Sequence, residues 1–292
     1  MYKNLVISSG GLYLLSIIGS IRRLIKLKII NNDKLENIYG TSAGSVVGFL
    51  LCLKIDWDLF EEYVLNRPLP DEFQLSMNNI FEYMETKGFV GREVYDVILK
   101  SIFKMKGLKY EMTFKELYEY SNIKLNVFAL NFNSFKNEMF NYELTPDFVV
   151  IDAVYMSATF PFVFKPIYYN NSYYIDGGVE NDYPVDDCLN ECKNEETLGI
   201  FIKFPKNYVR EFKMDISNNA IDYCIKMIRK LIQVNKKINK NKNVLNNEII
   251  IEMKTIDSLL DLSSKETRRS LIEAGKNSID DYISKNYVSS PE

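Results

Sequence analysis

The segment Gly40-Thr41-Ser42-Ala43-Gly44 is where residue types and spacing first suggest chemistry in this chain. It reads G-x-S-x-G, with the apolar pair Ile38-Tyr39 before it and the apolar stretch Val46 to Leu51 after it. A chain that passes from strand to helix in so few residues holds the central serine in a strained conformation with its hydroxyl exposed. Gly40 and Gly44 suit flanking positions that such a turn presses together, where a Cβ would clash. Thr41 and Ala43 are small for the same reason. A helix starting after Ser42 aims its free N–H groups and positive dipole end at the hydroxyl, where an oxyanion would form. The pattern also arises by chance as a glycine-rich turn, but a strand before it and a helix after it favour a nucleophile elbow.

A serine nucleophile needs a base, and the chain contains no histidine. A Ser-His-Asp triad is therefore impossible, as is any zinc site that needs imidazole. The base must be a carboxylate, a lysine or a tyrosine. Further on, the apolar run Tyr173-Tyr174-Ile175 ends in Asp176-Gly177-Gly178, which places a carboxylate at a strand tip followed by two residues that let backbone pass close by. Taken alone, Asp-Gly is also an ordinary turn. Near the N-terminus, Gly10-Gly11 follows a first strand and precedes a helix, a placement suited to an oxyanion hole, a phosphate cradle or a plain tight turn. A dinucleotide fingerprint is absent, because Ser9 and Leu14 occupy its first and last glycine positions.

These residues need elements to position them. Asn4 to Ser8 reads as a buried strand and Leu12 to Ile29 as a helix with a basic end. Residues 56–107 are helical and amphipathic, carrying Trp57, Leu59, Phe60, Met77, Phe81, Tyr83 and Met84. Such a stripe is core in the plainer reading and a lid over an acyl pocket in the other. A helix starting near Thr113 leads into a strand at Lys124 to Asn131. The 292 residues are 47% hydrophobic, ample for a large core, and the net charge of -3 argues against nucleic acid as a partner. Cys52, Cys188, Cys192 and Cys224 lack the paired spacing of a metal site and read as free thiols of a reducing compartment. The uncharged run up to Ile21 is broken by Ser8-Ser9-Gly10-Gly11, so it reads as neither signal peptide nor membrane span. The expected location is cytoplasmic. Between Asp222 and Glu248 there is no acidic residue, while Lys226, Arg229, Lys230, Lys236, Lys237, Lys240 and Lys242 are basic. Ile221, Cys224, Ile225, Ile228, Leu231 and Ile232 form an apolar face at helical spacing. That face is expected to pack on the core; resting on an anionic membrane is the alternative.

The order of these motifs resembles the patatin-like phospholipases. It runs Ser9-Gly10-Gly11-helix, Gly40-Thr41-Ser42-Ala43-Gly44, then Ser157-Ala158-x-x-Pro161-x-x-Phe164-x-Pro166, then Asp176-Gly177-Gly178-x-x-Asn181-x-x-Pro184. Asp261-Leu262-Ser263, Leu271 and Gly275 are similar to the family's closing helix. The resemblance implies an α/β fold, a three-layer α/β/α sandwich with a mostly parallel central sheet. It implies a single patatin-like domain over the whole chain, with a helical insertion at about 56–107 and C-terminal helices at about 215–285. It also implies a Ser-Asp dyad of Ser42 and Asp176, and an oxyanion hole from the N–H groups of Gly10, Gly11 and Ala43. Gly40, Gly44, Gly177 and Gly178 would be motif glycines, and no cofactor or metal would be needed. The chain departs from the family at Ser9, Tyr13 and Leu14, where a glycine, a basic residue and a further glycine are usual. The expectation is an acyl hydrolase acting on a lipid ester, most simply a phospholipid. The alternatives are a hydrolase of neutral lipids or soluble thioesters, and an inactive lipid-binding or interaction protein on the same fold.

Overall fold

The side chains of the first strand, β1 (Asn4–Ile7), alternate between two apolar layers: Leu5 and Ile7 enter the larger core cluster and Val6 a smaller one. The same alternation separates Ile38 from Tyr39 and Val127 from Phe128. A strand with both faces covered needs an almost continuous apolar run, which is what parallel sheets require. This computed structural model describes residues 1–67, 80–204, 220–238, 241–253 and 262–287.

The central sheet has eight strands. β1 lies between β2 (Asn37–Thr41) and β7 (Thr197–Lys203), both parallel to it. β2 pairs in parallel with β3 (Lys124–Asn131), and β7 with β8 (Glu248–Glu252). Three antiparallel strands complete one side: β4 (Lys136–Phe140), β5 (Ile167–Tyr169) and β6 (Ser172–Asp176). The mixed α/β architecture with a mostly parallel sheet agrees with the fold expected from the sequence.

The register along β3 decides where two strand ends meet. Val127 pairs with Phe140 of β4 and with Gly40 of β2, so β4 and β2 flank opposite edges there. Ala129 pairs with Glu138 of β4 and with Asp176 of β6. Strands β2 and β6 therefore share one edge of β3 and run toward each other, ending opposite the consecutive residues Phe128 and Ala129.

Helices cover the sheet. α1 (Leu14–Lys26) and α2 (Ala43–Cys52) pack into the larger cluster. Helices α3 (Trp57–Asn66), α4 (Ile80–Thr86) and α5 (Glu93–Lys106) follow, the first capped by the Asp56 side chain. α6 (Phe114–Ser121) opens on a reciprocal capping box between Thr113 and Glu116, the start its sequence predicts. α7 (Val150–Ser157) and α8 (Val185–Glu191) precede α9 (Ala220–Ile238) and α10 (Lys265–Tyr287). α10 crosses α1 with backbones nearly touching: a Cβ on Gly275 would lie 1.9 Å from the Ser16 carbonyl oxygen, and one on Gly19 would lie 2.2 Å from that of Ile272. No helix among the described residues is long and apolar enough to cross a membrane.

The stripe in 56–107 divides in two. Trp57 and Phe60 are buried, whereas Leu59 and Met84 are 64% and 71% exposed, so the stripe is not uniformly core. Met77 and the side chain of Phe81 lie outside the described residues.

Candidate active site

Ser42 sits between the end of β2 and the start of α2 with φ 54° and ψ -119°. That left-handed backbone costs about 1–3 kcal/mol for a residue with a side chain and persists only where its surroundings hold it. The surroundings here are tight. A Cβ on Gly40 would lie 2.6 Å from the Gly44 carbonyl oxygen, and one on Gly44 would lie 2.2 Å from that of Ile7. The Ser42 N–H donates to Ser157 Oγ at 2.8 Å, which in turn donates to the Phe128 carbonyl at 2.6 Å. Ser45 Oγ donates to the Ser42 carbonyl at 2.7 Å. The serine is thereby tied to the end of α7, to β3 and to the first turn of α2.

Asp176 ends β6, and because β6 meets β2 end to end along β3, its carboxylate arrives beside Ser42. Ser42 Oγ donates to Asp176 Oδ2 at 2.7 Å, with the two residues 3% and 8% exposed. The other carboxylate oxygen, Oδ1, accepts the Gly178 N–H at 2.7 Å, so Asp-Gly-Gly orients its own side chain. The Asp176 N–H donates to the Thr159 carbonyl at 2.9 Å. Gly177 is constrained as well, since a Cβ there would meet the Phe128 carbonyl oxygen at 2.5 Å.

Gly10 and Gly11 come up beside Ser42 from the end of β1. A Cβ built on Gly10 would lie 3.5 Å from that of Ala43, which brings the two turns into contact. Gly11 has open space around it, and its reason for being glycine is the backbone, at φ +51°. Gly11 opens a 3-10 turn and Ala43 opens α2. First-turn N–H groups have no intrahelical acceptor, so both point toward whatever sits at that end. Ser9, where the family usually has glycine, packs against the Asp-Gly-Gly turn, 3.1 Å from a Cβ placed on Gly178.

The group opens on a cavity of ≈ 650 Å³, whose walls are mostly apolar. Val46, Leu50, Ile98, Leu99, Phe160 and Phe164 are among its lining. Phe60, Tyr63 and Tyr95 also line it, so helices α3 and α5 form one wall. Among the bases the sequence left open, Tyr95 lines the same cavity, but burial and the Asp176 charge hold its hydroxyl well above the ordinary phenol range. Lys203, also on the wall, is paired with Glu252 at 2.6 Å. Among the described residues no cluster of His, Cys, Asp or Glu is arranged to hold a metal ion.

The patatin-like phospholipase family model matches residues 5–189. The chain belongs to the patatin-like phospholipase family. A relative described as probable lipid hydrolase 463L, from Invertebrate iridescent virus 6, is 32% identical over 187 residues. That match covers 63% of this chain and 62% of the relative, so the patatin-like chain spans less than two thirds of that relative's length. Uncharacterized protein R571 of Acanthamoeba polyphaga mimivirus is 24% identical over 292 residues, covering 97% of this chain and 94% of that protein. The crystal structure of VipD from Legionella pneumophila matches with a TM-score of 0.54 at 16% identity, covering 97% of this chain and 67% of that one. At that identity the likeness concerns the fold alone.

Within this patatin-like chain, three polar partners of the site carried no role in the sequence. Ser157 was part of a motif without a function, and Ser45 and Thr159 gave no signal beyond their closeness to motif residues. The helix α9 also differs from expectation. Arg229, Ile232 and Gln233 line the cavity, and Asn235 Nδ2 donates to the carbonyls of Val179 and Glu180 at 3.2 and 3.3 Å, just after Asp-Gly-Gly. Of the apolar face expected to pack on the core, Ile221, Cys224, Ile225, Ile228 and Ile232 are half-buried, but Leu231 is 59% exposed. The side chains of Lys236 and Lys237, and all of Lys240, lie outside the described residues.

Proposed function

We propose that this chain is a lipid acyl hydrolase of the phospholipase A type, cleaving esters through an acyl-Ser42 intermediate with Asp176 as the base. The observation that carries the reading is the 2.7 Å bond from Ser42 Oγ to Asp176 Oδ2, at the edge of a largely apolar cavity. Ser42 Oγ attacks the ester carbonyl carbon while its proton passes to Asp176 Oδ2. The carbonyl oxygen becomes an oxyanion that accepts from the N–H groups of Gly10, Gly11 and Ala43, with the α2 dipole behind the last. Collapse of the tetrahedral adduct breaks the bond to the leaving alcohol, which takes the proton from Asp176. A water, deprotonated by Asp176, then attacks the acyl-serine, and the proton returns to Ser42 as the fatty acid leaves.

A solvated aspartate, with a pKa near 3.9, would be a poor base for this task. Here the carboxylate is almost sealed from water, and its Oδ1 is fixed by Gly178, leaving Oδ2 directed at the hydroxyl. The cavity supports a long acyl group, since each buried methylene contributes about 0.8 kcal/mol to binding. No phosphate-specific contact is needed for this chemistry, so the head group stays open between phospholipid and neutral lipid.

The test is fatty-acid release from phospholipid, neutral-lipid and thioester substrates, with wild type, Ser42→Ala and Asp176→Asn compared. Asparagine keeps the bond to Gly178 but cannot take a proton. Turnover is expected to fall at least about 100-fold for Asp176→Asn, the lower end of what a positioned base contributes. Near-normal turnover for that variant would assign the base elsewhere.

A further inference from the structure

The helix α9 (Ala220–Ile238) is apolar on two faces. One face belongs to the catalytic cavity, through Ile232 and its neighbours Arg229 and Gln233. The other faces outward: Tyr223, Met227, Leu231 and Val234 are 53%, 40%, 59% and 54% exposed. Their spacing of four, four and three residues places them in one stripe along the helix. Ile232, with Ile221, Ile225 and Ile228 on its side of the helix, lies roughly 100° round from Leu231 at 3.6 residues per turn. A helix with two apolar faces is ordinarily buried on both, whereas the outer stripe stays exposed among the described residues.

The position of α9 is fixed at the site. Asn235 is bonded to the backbone that follows Asp176-Gly177-Gly178, and the Arg229 guanidinium lies 5.9 Å from the Phe160 ring centroid. The outer stripe is therefore carried on the same helix that walls the cavity holding Ser42. The charge along the helix is mainly basic, with Asp222 in its first turn as the one acid. From Tyr223 to Asn247 the chain has no Asp or Glu, and Lys226 and Lys230 flank Met227 and Leu231.

We propose that α9 docks the protein on an anionic lipid bilayer, with Tyr223, Met227, Leu231 and Val234 entering the headgroup–acyl boundary and the flanking lysines meeting acidic headgroups. A helix lying in the interface plane needs this combination of a strongly apolar stripe and basic flanks. A second copy of the chain would explain the apolar stripe equally well but not the basic excess from Tyr223 to Asn247, since two such faces would bring lysines together. The docking rests on the lipid-hydrolase reading for its purpose. With the outer face seated in the bilayer, the inner face of the same helix puts the cavity wall next to the lipid phase, so a substrate need not cross water to reach Ser42.

The experiment is flotation of the full chain with vesicles of phosphatidylcholine alone and of phosphatidylcholine with phosphatidylserine, alongside hydrolysis of a short-chain soluble ester. Wild type should bind the anionic vesicles more tightly and release from them as salt rises. The double variant Lys226→Gln/Lys230→Gln should lose about fivefold in vesicle affinity per lysine, from about 1 kcal/mol each. The variant Met227→Gln/Leu231→Gln should lose vesicle binding and hydrolysis of vesicle lipid, yet hydrolyse the soluble ester as wild type does. Vesicle binding and vesicle-lipid hydrolysis unchanged in both variants would overturn the docking. So would a dimer, seen by sedimentation without lipid, that Met227→Gln/Leu231→Gln dissociates. A wild type that binds vesicles as described but hydrolyses neither lipid nor soluble ester would instead sink the hydrolase reading and leave the docking standing.

Discussion

Ser42 and Asp176 meet because the strands that carry them, β2 and β6, end head to head on one edge of β3. The partners of their strand ends, Phe128 and Ala129, are adjacent in sequence, so a slip of either strand by one residue would move one member of the pair to the wrong face of the sheet. The 2.7 Å contact between hydroxyl and carboxylate is thus a property of the sheet register as much as of the turns. Phe128 reinforces it by accepting from Ser157, which holds the Ser42 N–H, while Thr159 holds the Asp176 N–H.

Removing the Ser157 hydroxyl should expose that dependence. Ser157→Ala leaves a buried N–H on Ser42 and a buried carbonyl on Phe128 without their partner, a cost of about 1–3 kcal/mol for an unsatisfied buried group. The expected outcome is a lower unfolding midpoint in denaturant together with a fall in kcat, with KM little changed, because the residue positions the serine and does not line the acyl cavity. A fall in stability with kcat and KM both unchanged would mean Ser157 serves the fold alone.

The α1–α10 crossing, behind the cavity wall, offers a structural counterpart. Gly275→Leu would drive a side chain into the Ser16 carbonyl, 1.9 Å from where its Cβ must go. Overpacking of this kind typically costs about 1–3 kcal/mol and here meets backbone, which cannot rotate away. Chemical denaturation should show the loss, while the folded fraction keeps its turnover per molecule. A midpoint equal to wild type would contradict the close crossing.

Much of this arrangement was legible in the residues, and the parts that were not share a cause. The spans of β1 and β3, the start of α6 near Thr113 and the strained elbow at Ser42 follow from local patterns, such as apolar runs and a glycine on each side of a serine. The end-to-end meeting of β2 and β6 is a long-range register that no local pattern records. Ser157 leaves no local signal because its work is a bond to another element's backbone. Leu231 faces outward although it shares the helical period of Ile228 and Ile232, because periodicity identifies apolar faces without saying which one meets the core, and α9 has two. The stripe in 56–107 expected as core is core at Trp57 and Phe60 and exposed at Leu59 and Met84, because one helix face can be covered while its neighbour meets solvent.

The cysteines give a chemical check on burial. All four are free, and burial pushes the Cys52 thiol up to about 12. Cys192 is half-buried, and a hydrogen bond with the Cys188 thiol lowers its value below the ordinary thiol range. A lowered value means more thiolate at a given pH, so iodoacetamide should modify Cys192 at a lower pH than an ordinary thiol and well before Cys52. Peptide mapping after timed alkylation of the native protein reads this order, and early modification of Cys52 would mean the core around α2 opens readily.

On the proposed mechanism Ser42 is an activated nucleophile beside a formed oxyanion hole, despite Ser9, Tyr13 and Leu14 in the first turn. A fluorophosphonate tests it directly: Ser42 Oγ attacks phosphorus, fluoride leaves, and the phosphonyl oxygen takes the place of the oxyanion between Gly10, Gly11 and Ala43. Intact-mass measurement should find one adduct on the wild-type chain, localised to Ser42, and none on Ser42→Ala. No adduct on folded wild-type protein would contradict the account, leaving a patatin-like chain whose dyad geometry is present but whose serine is not activated.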